Sequence, residues 1–431
     1  MLSCHYACGS AEHRVNRRAF LGHTALGAAA ALGPAGFASA AATDSLSRAN
    51  KRVLVIYLSG GVSQLETWDP KPGTDTGGPF RAISTSVPGT QICELLPHTA
   101  KQMHRIALVR SINTKENSHG RGRTIMLTGR KPEAAFEYPH LGAVTAKLLG
   151  DSGTGLPGHL HIFPQRGGGG GNRPDAAFLG PKFASVPLAN GNPPAGLLPP
   201  TGLTTEADRM REALRQKLND RFAKSRRSAA TEAYTESFDQ AEQVIRQADV
   251  FDVRKEPKAL AEKYGTHDFG RHLLLARRLL EAGVTYVKVT HTNYDTHHEN
   301  FDFHIEQLGE FDQPFATLLE DLADRGMLES TLVIVMSEFG RTPKINDRYG
   351  RDHWGTAWSV AIAGCGIQGG AVVGKTNANG TAVVDREVNG GHLFHTYLRA
   401  VGLDGTKNFY PNDRPVPIAD PEAAAISEIL V

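Results

Sequence analysis

Short, continuous apolar runs recur along the chain, each closed by glycines or by a cluster of polar residues. Val53 to Leu58 is unbroken by charge and stops at Ser59-Gly60-Gly61. A run of that length, rich in β-branched residues, predicts a strand buried on both faces and ended by a tight turn. Similar runs occupy Val284 to Thr290, Thr331 to Met336 and Ser359 to Ala363. Helical spacing precedes two of them, over Phe269 to Ala282 and Phe301 to Ala323. Strands alternating with helices predict an α/β fold with a parallel or mostly parallel sheet. Ligands of such sheets bind outside the carboxyl ends of the strands, so the residues just after each run are the first candidates for chemistry.

Two stretches break this rhythm. Gly153 to Pro200 is rich in Gly and Pro, with an uninterrupted glycine run from Gly167 to Gly171, and predicts a long surface excursion. From Thr205 to Ala248, Met210, Leu214, Leu218 and Phe222 and then Phe238, Ala241, Ile245 and Ala248 recur at helical spacing among charges, predicting amphipathic helices that cover the sheet or form a cap. Together they define an insertion at about 153–262 in a single domain spanning 41–431.

The N-terminus has a separate logic. Asn16-Arg17-Arg18-Ala19-Phe20-Leu21 leads into a modest Ala- and Gly-rich apolar run that ends at Ala38-Ser39-Ala40. A basic segment, a short apolar segment and a small-residue cleavage site make a twin-arginine signal peptide over 1–40, cleaved after Ala40. The expectation is export to the periplasm or beyond, with the twin-arginine translocase as transient partner. Glycines and Pro34 interrupt the apolar run, so it is too weak for a stable membrane span. Cys4 and Cys8 leave with the signal, and the remaining Cys93 and Cys365 do not make a disulfide framework. A formal net charge of +2 with mixed signs along the chain gives no basic stripe for nucleic acid.

Three strand ends carry candidate chemistry. After the run at Val284 comes His291-Thr292-Asn293-Tyr294-Asp295-Thr296-His297-His298-Glu299. Carboxylate and imidazole this close together suit a divalent ion, with Asp295 and His297 as ligands. Thr296 and Glu299 also fit a capping box for the next helix. After Met336 stands Glu338, either a further ligand or the partner of Arg341. His353, in Gly350-Arg351-Asp352-His353-Trp354, is a ligand candidate from a separate segment, with Asp352 to orient it. Finally, Ser118-His119-Gly120-Arg121-Gly122-Arg123 opens a helix with His and arginines on a glycine-rich turn, a pattern suited to an oxyanion.

Leu127-Thr128-Gly129-Arg130, with Arg123 upstream, resembles the sulfatase signature, whose register puts the nucleophile position at His119. The chain from about Arg52 to its C-terminus resembles the DUF1501 family of the alkaline phosphatase and sulfatase superfamily. The matching segments are Leu58 to Gly61, Trp68 to Pro72, His119 to Arg130, Ala276 to Val284, Asp295 to His297, Ser337 to Arg341 and Gly350 to Trp354. The resemblance implies a three-layer α/β/α sandwich with a mostly parallel sheet, alkaline phosphatase-like. It implies a metal-dependent hydrolase of sulfate or phosphate esters, with a divalent ion (Zn, Ca, Mg or Mn) on strand-end loops. The implied substrate is a sulfated or phosphorylated small molecule or carbohydrate. Asp295, His297, Glu338 and His353 would hold metal, Arg123 would neutralise the transferring group, and His119 would act as nucleophile, acid/base or ligand, with Ser63 the alternative nucleophile. Glu338-Phe339 stands where the superfamily carries an Asp-His or Asp-Asn pair, so the expectation is one metal, or a pair rearranged onto Glu66, Asp69 or His291. The competing expectation is an anion- or glycan-binding protein on the same fold without catalysis.

Overall fold

Eight strands form the central sheet: β1 (Arg52–Leu58), β2 (Ile106–Ile112), β3 (His159–Phe163), β4 (Val186–Ala189), β5 (Tyr286–His291), β6 (Thr331–Met336), β7 (Trp358–Gly364) and β8 (Val372–Val373). Their order is β8-β2-β7-β6-β1-β5-β3-β4. Only β7 runs against its neighbours; β1 pairs parallel with both β5 and β6, and β3 parallel with β4 and β5. This is a computed structural model describing residues 51–431 apart from 135, 151–154, 165–174, 193–201, 203, 226–234, 237–238, 240–243 and 245. The expected export signal with Arg17, Arg18 and Ala40, the run Gly167 to Gly171, and Phe238, Ala241 and Ile245 lie outside the described residues.

β1 is apolar throughout because alternate side chains feed two cores. Leu54, Ile56 and Leu58 join one core with the helices α4 (Asp268–Glu281) and α5 (Asn300–Asp324). Val53, Val55 and Tyr57 join the other with α1 (His119–Thr128), α2 (Leu141–Leu149) and α6 (Gly390–Ala400). Period-two alternation between two helix layers is what makes the architecture a three-layer α/β/α sandwich. No helix among the described residues is long and apolar enough to cross a membrane.

Three expectations meet a different structure, and one strand lies where none was expected. The expected surface excursion Gly153 to Pro200 contains β3 and β4, two strands of the main sheet, because Leu160, Ile162 and Leu188 carry enough apolar surface to close its edge. Between the domain's N-terminal strand and α1, β2 lies deep in the sheet although its Arg110 and Ser111 blur the apolar run. The helix α3 (Thr205–Ser225) exposes Met210, Leu214, Leu218 and Phe222 instead of laying them on the sheet. The capping box of Thr296 and Glu299 does not form. Glu299 takes the N-cap position of α5 with φ +48° and no side-chain bond, while Thr296 Oγ1 donates to Asn300 Oδ1 at 2.6 Å.

Buried polar groups tie the helices to the sheet. Arg277 of α4 reaches Asp321 of α5 at 3.0 Å and Glu256 at 2.5 Å, so the charge is compensated where water is excluded. His304 of α5 is 0% exposed; its Nδ1 donates to the Asn300 carbonyl at 2.7 Å and its Nε2 accepts from the Ser63 N–H at 3.2 Å. That tautomer is neutral, and burial lowers the pKa from 6.5 to about 4. A histidine held neutral favours folding fully above its ordinary pKa and loses that contribution as pH falls toward the folded value. Stability should therefore drop by about 3 kcal/mol from this group between neutral pH and about pH 4. Urea denaturation midpoints at pH 7 and pH 4.5 check this: His304→Asn is expected to be less stable at pH 7 but flatter across the interval.

Candidate metal centre

The carboxyl edges of β1, β5 and β6 meet at one point. Gly60 and Gly61 turn the chain after β1 with positive φ, and a Cβ on Gly60 would lie 2.4 Å from the Asp295 nitrogen. Only glycine lets the β5 loop approach so closely. From the other side, α1 presses its first turn onto the end of β6: a Cβ on Gly122 would sit 2.7 Å from the Glu338 carbonyl. These contacts bring Asp295, after β5, to His119, at the start of α1. A two-residue strand, His353–Trp354, pairs with Gly340–Arg341 and delivers His353.

One ligand atom from each of His119, Asp295 and His353 lies within 4.8 Å of the other two. Asp295 Oδ2 is 3.3 Å from His119 Nε2, and Oδ1 is 3.1 Å from both His353 Nε2 and His297 Nε2. The three imidazoles share one arrangement at the far nitrogen. His353 Nδ1 donates to the Asn117 carbonyl at 2.7 Å, His297 Nδ1 to Asp352 at 2.7 Å, and His119 Nδ1 to Glu338 at 2.7 Å. Each acceptor fixes the proton on Nδ1 and leaves Nε2 with its lone pair. His297 Nε2 and His353 Nε2 then face each other at 3.0 Å across Asp295. Imidazole nitrogens and a carboxylate oxygen gathered at this spacing make a donor set that fits a metal ion.

Burial alone would raise the Asp295 pKa, but the Arg341 guanidinium, at 2.6 Å, holds its carboxyl well below the usual range. Glu338 behaves alike: burial opposes its charge, yet His119 and the Gly60 N–H, at 3.0 Å, keep it ionised. The hydrogen bond to Glu338 in turn raises the pKa of His119, whereas burial lowers that of His353. Asp295 and His119 remain half exposed, so the centre opens to solvent.

Glu338 stands one step behind the convergence point: Oε1 receives His119 and Gly60, and Oε2 receives Ser337 at 3.0 Å. Asp352 orients His297, not its neighbour His353. Arg341 pairs with Asp295 and not with Glu338. Ser63 is fully buried, and its hydroxyl accepts from the Leu65 N–H at 3.3 Å, away from Asp295. Glu66 is bound to Arg351 at 2.8 Å, Asp69 to Lys71 at 2.9 Å, and His291 to Tyr294 and Glu310, and none of the three is in the group formed by His119, Asp295 and His353. Phe339 is fully buried and packs its ring against His119 and His353, with centroids 4.9 and 4.4 Å apart.

Arg123 lies one turn along α1 from His119 and has no hydrogen-bond or ion-pair partner among the described residues. Lys288 of β5 is a second cation, its Nζ 5.9 Å from the Tyr57 ring and its charge opposed by Asp175, and burial lowers its pKa to about 8. Sequence reasoning passed over Lys288, although a lysine inside Val287 to Val289 of a strand covered on both faces was the available signal. The buried Tyr57 hydroxyl between them also lacks a partner.

The chain belongs to the family described as "Protein of unknown function (DUF1501)", whose model matches residues 50–430. No curated protein matches it. Among solved structures it is similar to the C-terminal periplasmic domain of EcEptC from Escherichia coli in complex with Zn (9% identity, 86% of this chain and 87% of that one, TM-score 0.38). It is also similar to the PsFucS1 sulfatase from Pseudoalteromonas sp. (13%, 84% and 71%, 0.38) and to alkaline phosphatase from the Antarctic bacterium TAB5 (12%, 82% and 98%, 0.36). Each superposes loosely, so the chemistry of this centre is decided by its own side chains.

Glu66 and Arg351, both 0% exposed, support the loop that carries His353. Glu66→Ala strands a guanidinium in the interior and is expected to cost about 3–5 kcal/mol in a chemical denaturation curve. A cost below about 1 kcal/mol would show that the pair is not what holds the loop.

Proposed function

We propose that this protein is an exported, metal-dependent hydrolase of phosphate or sulfate esters. The observation that carries the reading is the convergence of three histidine Nε2 atoms, each with its Nδ1 proton engaged elsewhere, on the single carboxylate Asp295. Asp295, His119 and His353, with His297, would hold the ion, and an imidazole-rich set suits zinc better than calcium or magnesium. Such an ion, when bound, polarises an ester oxygen and lowers the pKa of a coordinated water. Glu338 and Asp352 keep the imidazoles oriented, and Arg341 keeps Asp295 ionised. Arg123 and Lys288, neither of which forms an ion pair within 4 Å among the described residues, would receive the anionic group. In this arrangement His119 is a ligand, and a water is the attacking group.

A second reading has one observation in its favour. Phe339 fills space beside His119 and His353 where a polar side chain would be needed to bind another ion, which suits an anion-binding protein that does not turn its ligand over.

Metal analysis of the mature protein purified without chelators, followed by turnover of 4-nitrophenyl phosphate and 4-nitrophenyl sulfate, separates the two. The expected result is one metal per chain and hydrolysis of one ester, with both abolished in Asp295→Ala. Glu338→Gln should retain the fold and weaken zinc binding about 10–100-fold. Phosphate or sulfate binding without metal and without turnover would establish the second reading instead.

A further inference from the structure

Beside the metal centre, on the far side of β5, lies a cleft of about 610 Å³ between the ends of β3, β4 and β5 and the helices α4 and α5. Its size is that of a small-molecule site. It shares one loop with the centre: Asn293 lines the cleft and Asp295, two residues on, belongs to the metal group, a span of at most about 7 Å of chain.

The chemistry of this cleft is opposite in sign to that around Arg123. Asp268, Glu306 and Glu310 line it, and no lysine or arginine does. Glu306 has no partner among the described residues. Glu310 accepts from His291 Nε2 at 3.1 Å, a bond that lowers its pKa and keeps it anionic with its second oxygen uncommitted. Asp268 is paired with Arg271 and contributes least.

Two further side chains point to a ligand. His272 is 2% exposed, and neither ring nitrogen has a hydrogen-bond partner. A buried imidazole is rarely left in this state, because it forfeits its bonds to water. The Gln307 side chain also lines the cleft and makes no hydrogen bond among the described residues. Asn190 and Asn293, at the ends of β4 and β5, hold left-handed backbones with φ +54° and +74° on the cleft wall, a conformation that costs energy in any residue but glycine.

We propose that this cleft receives the alcohol side of the ester, and that it selects a hydroxylated group carrying an ammonium over one carrying a further anion. The unpaired amide and imidazole supply donors and acceptors for hydroxyls, and Glu306 and Glu310 supply the charge that an ammonium needs and an anion avoids. The role as alcohol subsite rests on the hydrolase reading; the ligand preference does not.

Calorimetric titration of the mature full chain with glucosamine, glucose and glucuronate tests the preference directly. Glucosamine should bind one to one, about tenfold tighter than glucose, with no binding of glucuronate. The double substitution Glu306→Gln and Glu310→Gln should weaken glucosamine about tenfold. Glucuronate binding as tightly as glucosamine, or glucosamine binding not at all, overturns the proposal, and both are read on the unaltered protein. Glucosamine binding without hydrolysis of any ester sinks the hydrolase reading alone; ester hydrolysis without glucosamine binding sinks the subsite alone.

Discussion

Two buried guanidinium groups hold the carboxyl edge of the sheet together. Arg341 is 0% exposed and donates to the carbonyls of Gly60, Gly61 and Arg351 as well as to Asp295. Arg351, equally buried, donates to Glu66 and to the carbonyls of Thr76 and Thr342. The turn after β1, the loop after β5 and the segment after β6 are irregular backbone, and irregular backbone has no ladder to satisfy it. The planar, permanently charged fork of arginine supplies those bonds from one side chain, and lysine in either place would supply fewer. The positions of Asp295 and His353 are consequences of this clamp.

Around the candidate metal group the arrangement is in layers. Nε2 atoms face inward, and the Nδ1 protons are spent outward on Glu338, Asp352 and Asn117. Glu338 is a residue whose type suggests a ligand and whose place makes it a positioning group. A carboxylate at the end of a buried strand must be compensated, and Gly60, Ser337 and His119 already do so.

The strand β5 divides two environments of opposite charge. Arg123 and Lys288 act on Tyr57, while Glu306 and Glu310 line the cleft, which no lysine or arginine lines. An elongated ester with an anionic head and a hydroxylated, cationic remainder matches that polarity in one orientation only, since the reverse places like charges together.

Much of the fold was legible from residue order. The apolar runs of β1 and β6 and the periodicity of α4 and α5 reflect local burial, which a linear pattern records directly. Strands β3 and β4 were hidden because a Gly- and Pro-rich setting masks short runs such as Leu160 to Ile162, and pairing with β5 is a long-range event. The site divides the same way. Sequence alone determined which residue types gather at strand ends, and so nominated Asp295, His297, His353 and His119. Only the tertiary structure decided that Glu338 stands behind His119, that Ser63 is sealed in the core, and that Arg341 serves Asp295. Those roles depend on which nitrogen faces which oxygen across 46 to 278 residues of chain, and spacing along a sequence carries no information about direction in space.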